Sequence, residues 1–344
     1  MGPPTNQITV IPNPAVKDTR GNIPGIPDSV KKTSHIHLKF GVTGSRQLSL
    51  QVYDTTNITN PTEYADNGAS VGFIHEPGTL AGAIQNNIPV IYGIASSGTS
   101  DNKDTGVCKL SPYYNPILKS NPTSEKDAGV VTTNLWSLTA CDDGGQKNWV
   151  YFLRNVGDDT NPKIVLVQLD VDPLDRADET ILELNYSAGA GSRLASFFDE
   201  SPYVFYVHDA EDELGIYYVN ATTPKSANRI NDTSTVKTKS PLAIVTNAST
   251  NDRNDITLQL TLYFVNNNGY LSYVLGTLDN GYITWDQTHQ SLQNIRVDQT
   301  SSLAVISGAD NKTHYIYVVP REGQAGGYVV KTATPWQRRV APPS

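Results

Sequence analysis

Apolar residues along this chain come in short runs, each bounded by Gly, Asn, Asp, Ser or Thr. Four runs share one wording. Leu80-Ala81-Gly82-Ala83-Ile84, Leu194-Ala195-Ser196-Phe197-Phe198, Leu242-Ala243-Ile244-Val245 and Leu303-Ala304-Val305-Ile306 open on Leu-Ala. Leu138-Thr139-Ala140-Cys141 is a looser copy. After each comes a polar gap and then a run of aromatic and β-branched residues, such as Val150-Tyr151-Phe152-Leu153 or Tyr203-Val204-Phe205-Tyr206-Val207. A turn cluster follows, for example Asn266-Asn267-Asn268-Gly269, and then a third run, for example Leu271-Ser272-Tyr273-Val274. This pattern predicts strands of antiparallel meanders. Long i, i+3, i+4 stripes are missing, and Pro and Gly recur too often for long helices.

Units begin near residues 80, 138, 194, 242 and 303, and a divergent one near 35 opens on His35-Ile36-His37-Leu38-Lys39-Phe40. Six repeats of about 57 residues, each with three or four strands, are the pattern of a β-propeller. The chain therefore reads as all-β, one six-bladed β-propeller domain over residues 1–344. A β-sandwich tandem or a β-helix fits units with three separated runs less well. The Leu-Ala runs mark the inner strands. Ala81, Ala195, Ala243 and Ala304 keep side chains small near the axis, and the neighbouring Leu, Val and Ile pack between blades. Ile8-Thr9-Val10-Ile11 is expected to close the ring by supplying the outer strand of the last blade. Asn13 to Lys32, rich in Pro and Gly, reads as an ordered crossing loop or a flexible arm.

A chain of 344 residues is ample for a buried core. Only 17% of residues are charged, the net charge is -8, and no run of Lys/Arg exceeds two residues, which excludes a nucleic-acid partner. No apolar run is long enough to span a bilayer. Met1-Gly2-Pro3-Pro4 lacks a basic n-region and an apolar h-region, so an intact signal peptide is not expected, and the chain reads as a mature form given a new start codon. Cys108 and Cys141 are the two cysteines. A disulfide between them would close a loop of about thirty residues and constrain the unfolded chain by roughly 3–4 kcal/mol; the alternative is two reduced, unrelated thiols. Asn57, Asn185, Asn220, Asn231, Asn247 and Asn311 stand in Asn-x-Ser/Thr sequons and are candidates for N-glycosylation. Together these features point to the secretory pathway or the cell exterior.

No strong catalytic motif is written in the chain: no Gly-x-Ser-x-Gly, no His-Glu-x-x-His, no phosphate loop and no dinucleotide fingerprint. Asp170-Val171-Asp172-Pro173-Leu174-Asp175 and Asp209-Ala210-Glu211-Asp212-Glu213 fail the calcium-loop pattern and read as solvated turn carboxylates. His35 and His37 share one strand face but lack a third ligand nearby, so neither a metal nor a cofactor is expected. Acid pairs for glycoside hydrolysis come from distant strands and stay open as an alternative. Tyr113 and Tyr114 in a Pro/Asn loop, with Trp336 and Arg338 near the chain end, are the candidate site residues. Exposed rings and a guanidinium suit small apolar, oxygenated substrates. Assembly into a homo-oligomer stays open.

The Leu-Ala inner strand, Tyr/Phe-rich second strand, Asn-Gly turn and third strand, clearest in Ser240–Leu278 and extending over residues 80 to 344, resemble the fungal fucose-specific lectin propellers. Those lectins clasp sugar with a repeated Arg, Glu and Trp, whereas Trp149 and Trp285 fall out of register here. With its sequons and diverged units, the chain also looks like the glycosylated fungal hetero-Diels–Alderases of tropolone-sesquiterpene biosynthesis. That resemblance implies a cofactor-free cycloaddition joining a tropolone o-quinone methide to a humulene-type sesquiterpene. Such an enzyme would hold both partners in a near-attack pose and donate a hydrogen bond to the heterodiene oxygen. A glycan-binding, lectin-like propeller is the alternative.

Overall fold

The computed structural model describes residues 7–12, 36–54, 62–65, 74–75, 78–96, 105–120, 129–145, 147–158, 161–210, 213–250, 256–298, 301–308, 310, 312–319 and 329–335. Their regular structure is strand throughout, in six sheets that form the blades of a β-propeller. Blade 1 holds β1 (Ile8–Pro12), β2 (Ile36–Val42), β3 (Leu48–Asp54) and β4 (Thr62–Ala65). Blade 2 holds β5 (Leu80–Gln85), β6 (Ile88–Ser96), β7 (Thr105–Ser111) and β8 (Asn115–Pro116). The short β9 (Leu118–Lys119) crosses over and pairs in parallel with the outer strand of blade 3. Blade 3 holds β10 (Leu138–Asp142), β11 (Asn148–Asn155), β12 (Ile164–Val171) and β13 (Arg176–Leu182). Blade 4 holds β14 (Ala195–Asp199), β15 (Ser201–His208), β16 (Gly215–Asn220) and β17 (Asn228–Arg229). Blade 5 holds β18 (Leu242–Thr250), β19 (Ile256–Val265), β20 (Tyr270–Asp279) and β21 (Tyr282–Trp285), with β22 (Gln290–Arg296) also paired to β20. Blade 6 holds β23 (Leu303–Ser307), β24 (His314–Val318) and β25 (Val329–Ala333).

Local chemistry sets the hairpins. Asn86 and Asn87 both take positive φ between β5 and β6, and Asn280-Gly281 does so between β20 and β21. Two such residues make the turn whose twist matches paired strands, and Asn and Gly tolerate that conformation. Along each strand side chains alternate, so one face of a blade packs on the preceding blade and the other on the next. In β11, Val150 and Phe152 join Ala81, Val90 and Tyr92 of blade 2, while Tyr151 and Leu153 join Leu194, Val204 and Tyr206 of blade 4.

That alternation overturns the disulfide. Cys108, on β7, faces the core shared with Phe40, Val42 and Leu48 of blade 1. Cys141, on β10, faces the core shared with blade 4. The two lie on opposite sides of the interface between blades 2 and 3, and both are free and buried. Burial pushes the Cys108 thiol up to about 11 and raises that of Cys141 as well.

The N-terminal strand also differs from its expected place. β1 is the innermost strand of blade 1, paired to β2, not the outer strand of blade 6. It lies between the inner strands β5 and β23, so the ring closes by packing without strand exchange. The pattern of Ile8–Ile11 suits either position, since both bury alternate residues. The seam between blades 6 and 1 has the smallest core among the described residues: Ile8 and Tyr53 against Ala304, Ile306 and Tyr317.

Candidate functional site

Three of the inner strands carry a small device at their start. Two residues before the Leu, blades 4, 5 and 6 have Ser192, Ser240 and Ser301. Each hydroxyl donates to the carbonyl of the next residue, at 3.0, 2.9 and 2.6 Å. Each also accepts the amide of Val207, Val265 or Val319, at 2.8, 2.7 and 2.9 Å. The serine thus fastens the inner strand to the end of the second. In blade 3 the same position is Trp136, and in blade 2 it is Gly78.

Trp136 opens a groove of about 780 Å³ between blades 2 and 3. Its ring stacks on His75, centroids 3.7 Å apart and 20° from parallel. Burial and the charge of Arg46 hold the His75 imidazole below its ordinary pKa. The Trp136 carbonyl accepts from Thr79 Oγ1 at 3.0 Å and from Arg193 Nη1 at 3.4 Å. The opposite wall is polar. Asn134 and Asn155 clasp each other by two side-chain-to-backbone bonds of 3.1 and 2.9 Å. Arg154, near the end of β11, donates to Thr132 O through Nε and Nη2 and grips Glu179 of β13 with two bonds of 2.6 and 2.9 Å. Burial works to raise the Glu179 carboxyl, but the hydrogen bonds and charge of Arg154, with Lys119 adding, hold it below its ordinary value.

Register shows that the Arg154 position is not repeated in blades 2, 4 and 5. Leu138 stands opposite Phe152, so Arg154 lies two residues past that pairing. Leu242 stands opposite Phe264, and the matching position is Asn266. Leu80 stands opposite Gly93, and the matching position is Ala95. Ala195 stands opposite Phe205, which makes the match in blade 4 His208.

A second space runs along the axis. All six inner strands line a cavity of about 200 Å³, with Ala81, Ala140, Ala195, Ala243 and Ala304 among its walls. Its lining includes one charged side chain, Arg193, and no carboxylate. A hydrolase acting here would need two acids facing this funnel.

The residues singled out from sequence fall elsewhere. Tyr113 donates to Asp175 Oδ2 at 3.1 Å and lays its ring over Lys109 Nζ. Lys109 and Asp175 form a buried ion pair, and Asn115 Nδ2 adds a bond of 2.8 Å to the same carboxylate. The expectation of a solvated turn carboxylate therefore fails at Asp175, which is 3% exposed, and at Asp170, which is exposed but lies within β12, and holds at Asp209 and Glu213. Tyr114 donates to Ser96 O at 2.9 Å, and burial raises its pKa. Trp336 and Arg338 lie outside the described residues, as do Asn57, Asn311 and His35. Asn247 is corrected as a glycan acceptor: it is 3% exposed, its Nδ2 bonds His314 and its Oδ1 accepts from Ser307. Asn185 and Asn231 are exposed, and Asn220 is half-buried with Nδ2 on Ser201 Oγ. His37 is buried with Nδ1 3.1 Å from Tyr317 OH. Among the described residues no group of three His, Cys, Asp or Glu is placed to hold a metal. Trp136, Arg154 and Arg193 are not legible from the repeat, because each stands where the chain departs from it. Trp136 at a serine position was the readable signal.

No family model matches the chain. The "Wall-associated proteinase" of Coccidioides immitis is 28% identical over 283 residues, covering 81% of this chain and 86% of its own. That of Coccidioides posadasii is 27% identical over 287 residues, with the same coverage. Among solved structures, a mutant of AofleA from Arthrobotrys oligospora superposes with a TM-score of 0.57 at 10% identity, over 87% of this chain and 83% of that one. The Aleuria aurantia lectin, described as a six-bladed β-propeller with a novel fucose recognition mode, gives 0.55 at 9% identity, over 86% and 90%. The BP39L lectin of Burkholderia pseudomallei gives 0.55 at 13%, over 96% and 81%. The chain has the six-bladed β-propeller fold that these lectins share.

Proposed function

We propose that this protein is a carbohydrate-binding propeller of the cell exterior, with one binding groove between blades 2 and 3. The observation that carries this reading is the composition of the groove: one half-buried aromatic face, Trp136 on His75, opposite amide, hydroxyl and guanidinium groups. Sugars present both an apolar C–H face and a rim of hydroxyls, and such a lining answers both. The lectin-like neighbours support the class, and the wall-associated name of the Coccidioides relatives supports the location. No helix among the described residues is long and apolar enough to cross a membrane.

The groove serves a hydroxylated ligand better than two apolar reaction partners. Threonine and asparagine dominate where a cycloaddition would want aromatic walls, and no relative named above speaks for that chemistry. A proteinase reading would want a nucleophile, a base and an orienting acid. His289 Nδ1 lies 2.9 Å from both Asp232 Oδ2 and Asp232 O, and its ring packs edge-on to Phe264, with no nucleophile among these contacts.

The test is a glycan array followed by calorimetry on each hit, with wild type and Trp136→Ala. Thr79 and Arg193 bond the Trp136 carbonyl, so the variant keeps those bonds and loses the ring that stacks on His75. Binding at one site per chain, weakened tenfold or more (about 1.4 kcal/mol) in the variant, is expected. Failure of the wild type to bind any glycan removes the reading. A single stereoisomer formed above background from a tropolone quinone-methide precursor and humulenol would replace it with the pericyclase.

A further inference from the structure

The axial cavity is separate from the groove and carries its own chemistry. The residue just before the Leu of an inner strand faces the cavity as Thr79, Arg193, Pro241 and Ser302. Three of these are neutral, and one is a guanidinium. A guanidinium offers five N–H donors in a planar fork. The described donor bond of Arg193 is one long contact of 3.4 Å to the Trp136 carbonyl. Among the described residues it has no ion-pair partner. Arg154 shows the contrast, with its fork filled by Thr132 O and both oxygens of Glu179.

Burial also lowers the pKa of Arg193 from its ordinary value. A cation taken out of bulk water without a counter-charge is destabilising, and removing such a group is often neutral or favourable. Retention of a guanidinium with no ion-pair partner among the described residues, in the wall of a cavity, fits a site that sacrifices some stability to a ligand.

We propose that the axial cavity binds a small organic carboxylate, clasped by the Arg193 fork and received by the hydroxyls around it. Carboxylate geometry matches the fork with two parallel bonds. Among the described lining residues Arg193 is the one cation, so a monoanion is neutralised where a phosphate dianion is not. Thr139 Oγ1 and Ser196 Oγ share one hydrogen bond of 3.0 Å, and both residues line the cavity as hydroxyl groups within it. At about 30 Å³ per water in the liquid, a space of about 200 Å³ has room for a molecule of a few heavy atoms. The ring of alanines keeps that space open.

Acetate and lactate are the probes, with phosphate and chloride as controls, all at one ionic strength and pH. The thermal midpoint and direct calorimetry are read for wild type, Arg193→Met and Arg193→Lys. Acetate or lactate should raise the wild-type midpoint in a concentration-dependent way, as a ligand of the folded state does. R193M should not respond, and in chloride it should melt at or above wild type. R193K, a point charge without the fork, should keep a response with affinity weaker by about tenfold. The proposal is overturned if the wild type responds to neither carboxylate, if R193M responds equally, or if phosphate matches the carboxylates. Should R193M fail to fold, the wild-type titrations and R193K decide by themselves.

Discussion

At the scale of single residues, the chain hides polar chemistry inside its blades. Lys109 and Asp175 are both nearly sealed from water, and Tyr113 and Asn115 complete the carboxylate's partners. Replacing Lys109 by Met leaves Asp175 buried without its counter-charge, and a loss of about 3–5 kcal/mol is expected in urea unfolding. Tyr113→Phe removes one bond to a charged acceptor and should lose about 1.5–3 kcal/mol while leaving glycan binding intact; lost binding at unchanged stability would return Tyr113 to a site. His314 is the residue for pH. It is fully buried between Tyr263 OH at 2.9 Å and Asn247 Nδ2 at 3.0 Å. Burial, only partly offset by Asp310, pushes it from 6.5 to about 4. Between those values the unfolded chain binds a proton that the folded one refuses. Its contribution is therefore whole above about pH 6.5 and falls as pH drops towards 4, by about 3 kcal/mol at most. His314→Gln removes this term, so the stability gap between wild type and variant should shrink on going from pH 7 to 4.5. A constant gap would rule the term out.

At the scale of elements, the serine latches explain why Ser-x-Leu-Ala recurs, a question that strand propensity leaves open. Ser240 Oγ satisfies both Val265 N and Pro241 O. Ser240→Ala strands a buried amide and should lower stability by about 1–3 kcal/mol, and Ser192→Ala and Ser301→Ala should do the same in their blades. A loss in one blade alone would show that the three are not equivalent. These latches were legible as a repeat but not as a mechanism, because the hydroxyl's second partner lies 15 to 25 residues on, at the far end of the next strand. Trp136 was legible as a departure from that repeat, and its partner His75 was not, since stacking joins two loops from different blades.

At the scale of the whole molecule, the seam is the expected weak point. Among the described residues blades 1 and 6 meet over few apolar side chains, tied by Tyr53 packed edge-on to Tyr317 and by the contact of His37 with Tyr317 OH. Ile8→Ala should lower stability by about 2–5 kcal/mol, and amides of β1 and β24 should exchange faster than those of β11 and β19 under native conditions. Equal protection throughout would place the weak point elsewhere.

The sequence by itself determined the number of blades, the strand class and the identity of five inner strands, because period-2 burial and turn residues are local properties. Only the tertiary structure decided what depends on which face meets which. It put Cys108 and Cys141 into different cores, Asn247 inside a blade and Ile8 beside the axis. It also brought Trp136 to Arg154 in one groove and put Arg193 at a common cavity with no ion-pair partner among the described residues. Each of these follows from closing a ring, which sets strands side by side that are far apart in the chain.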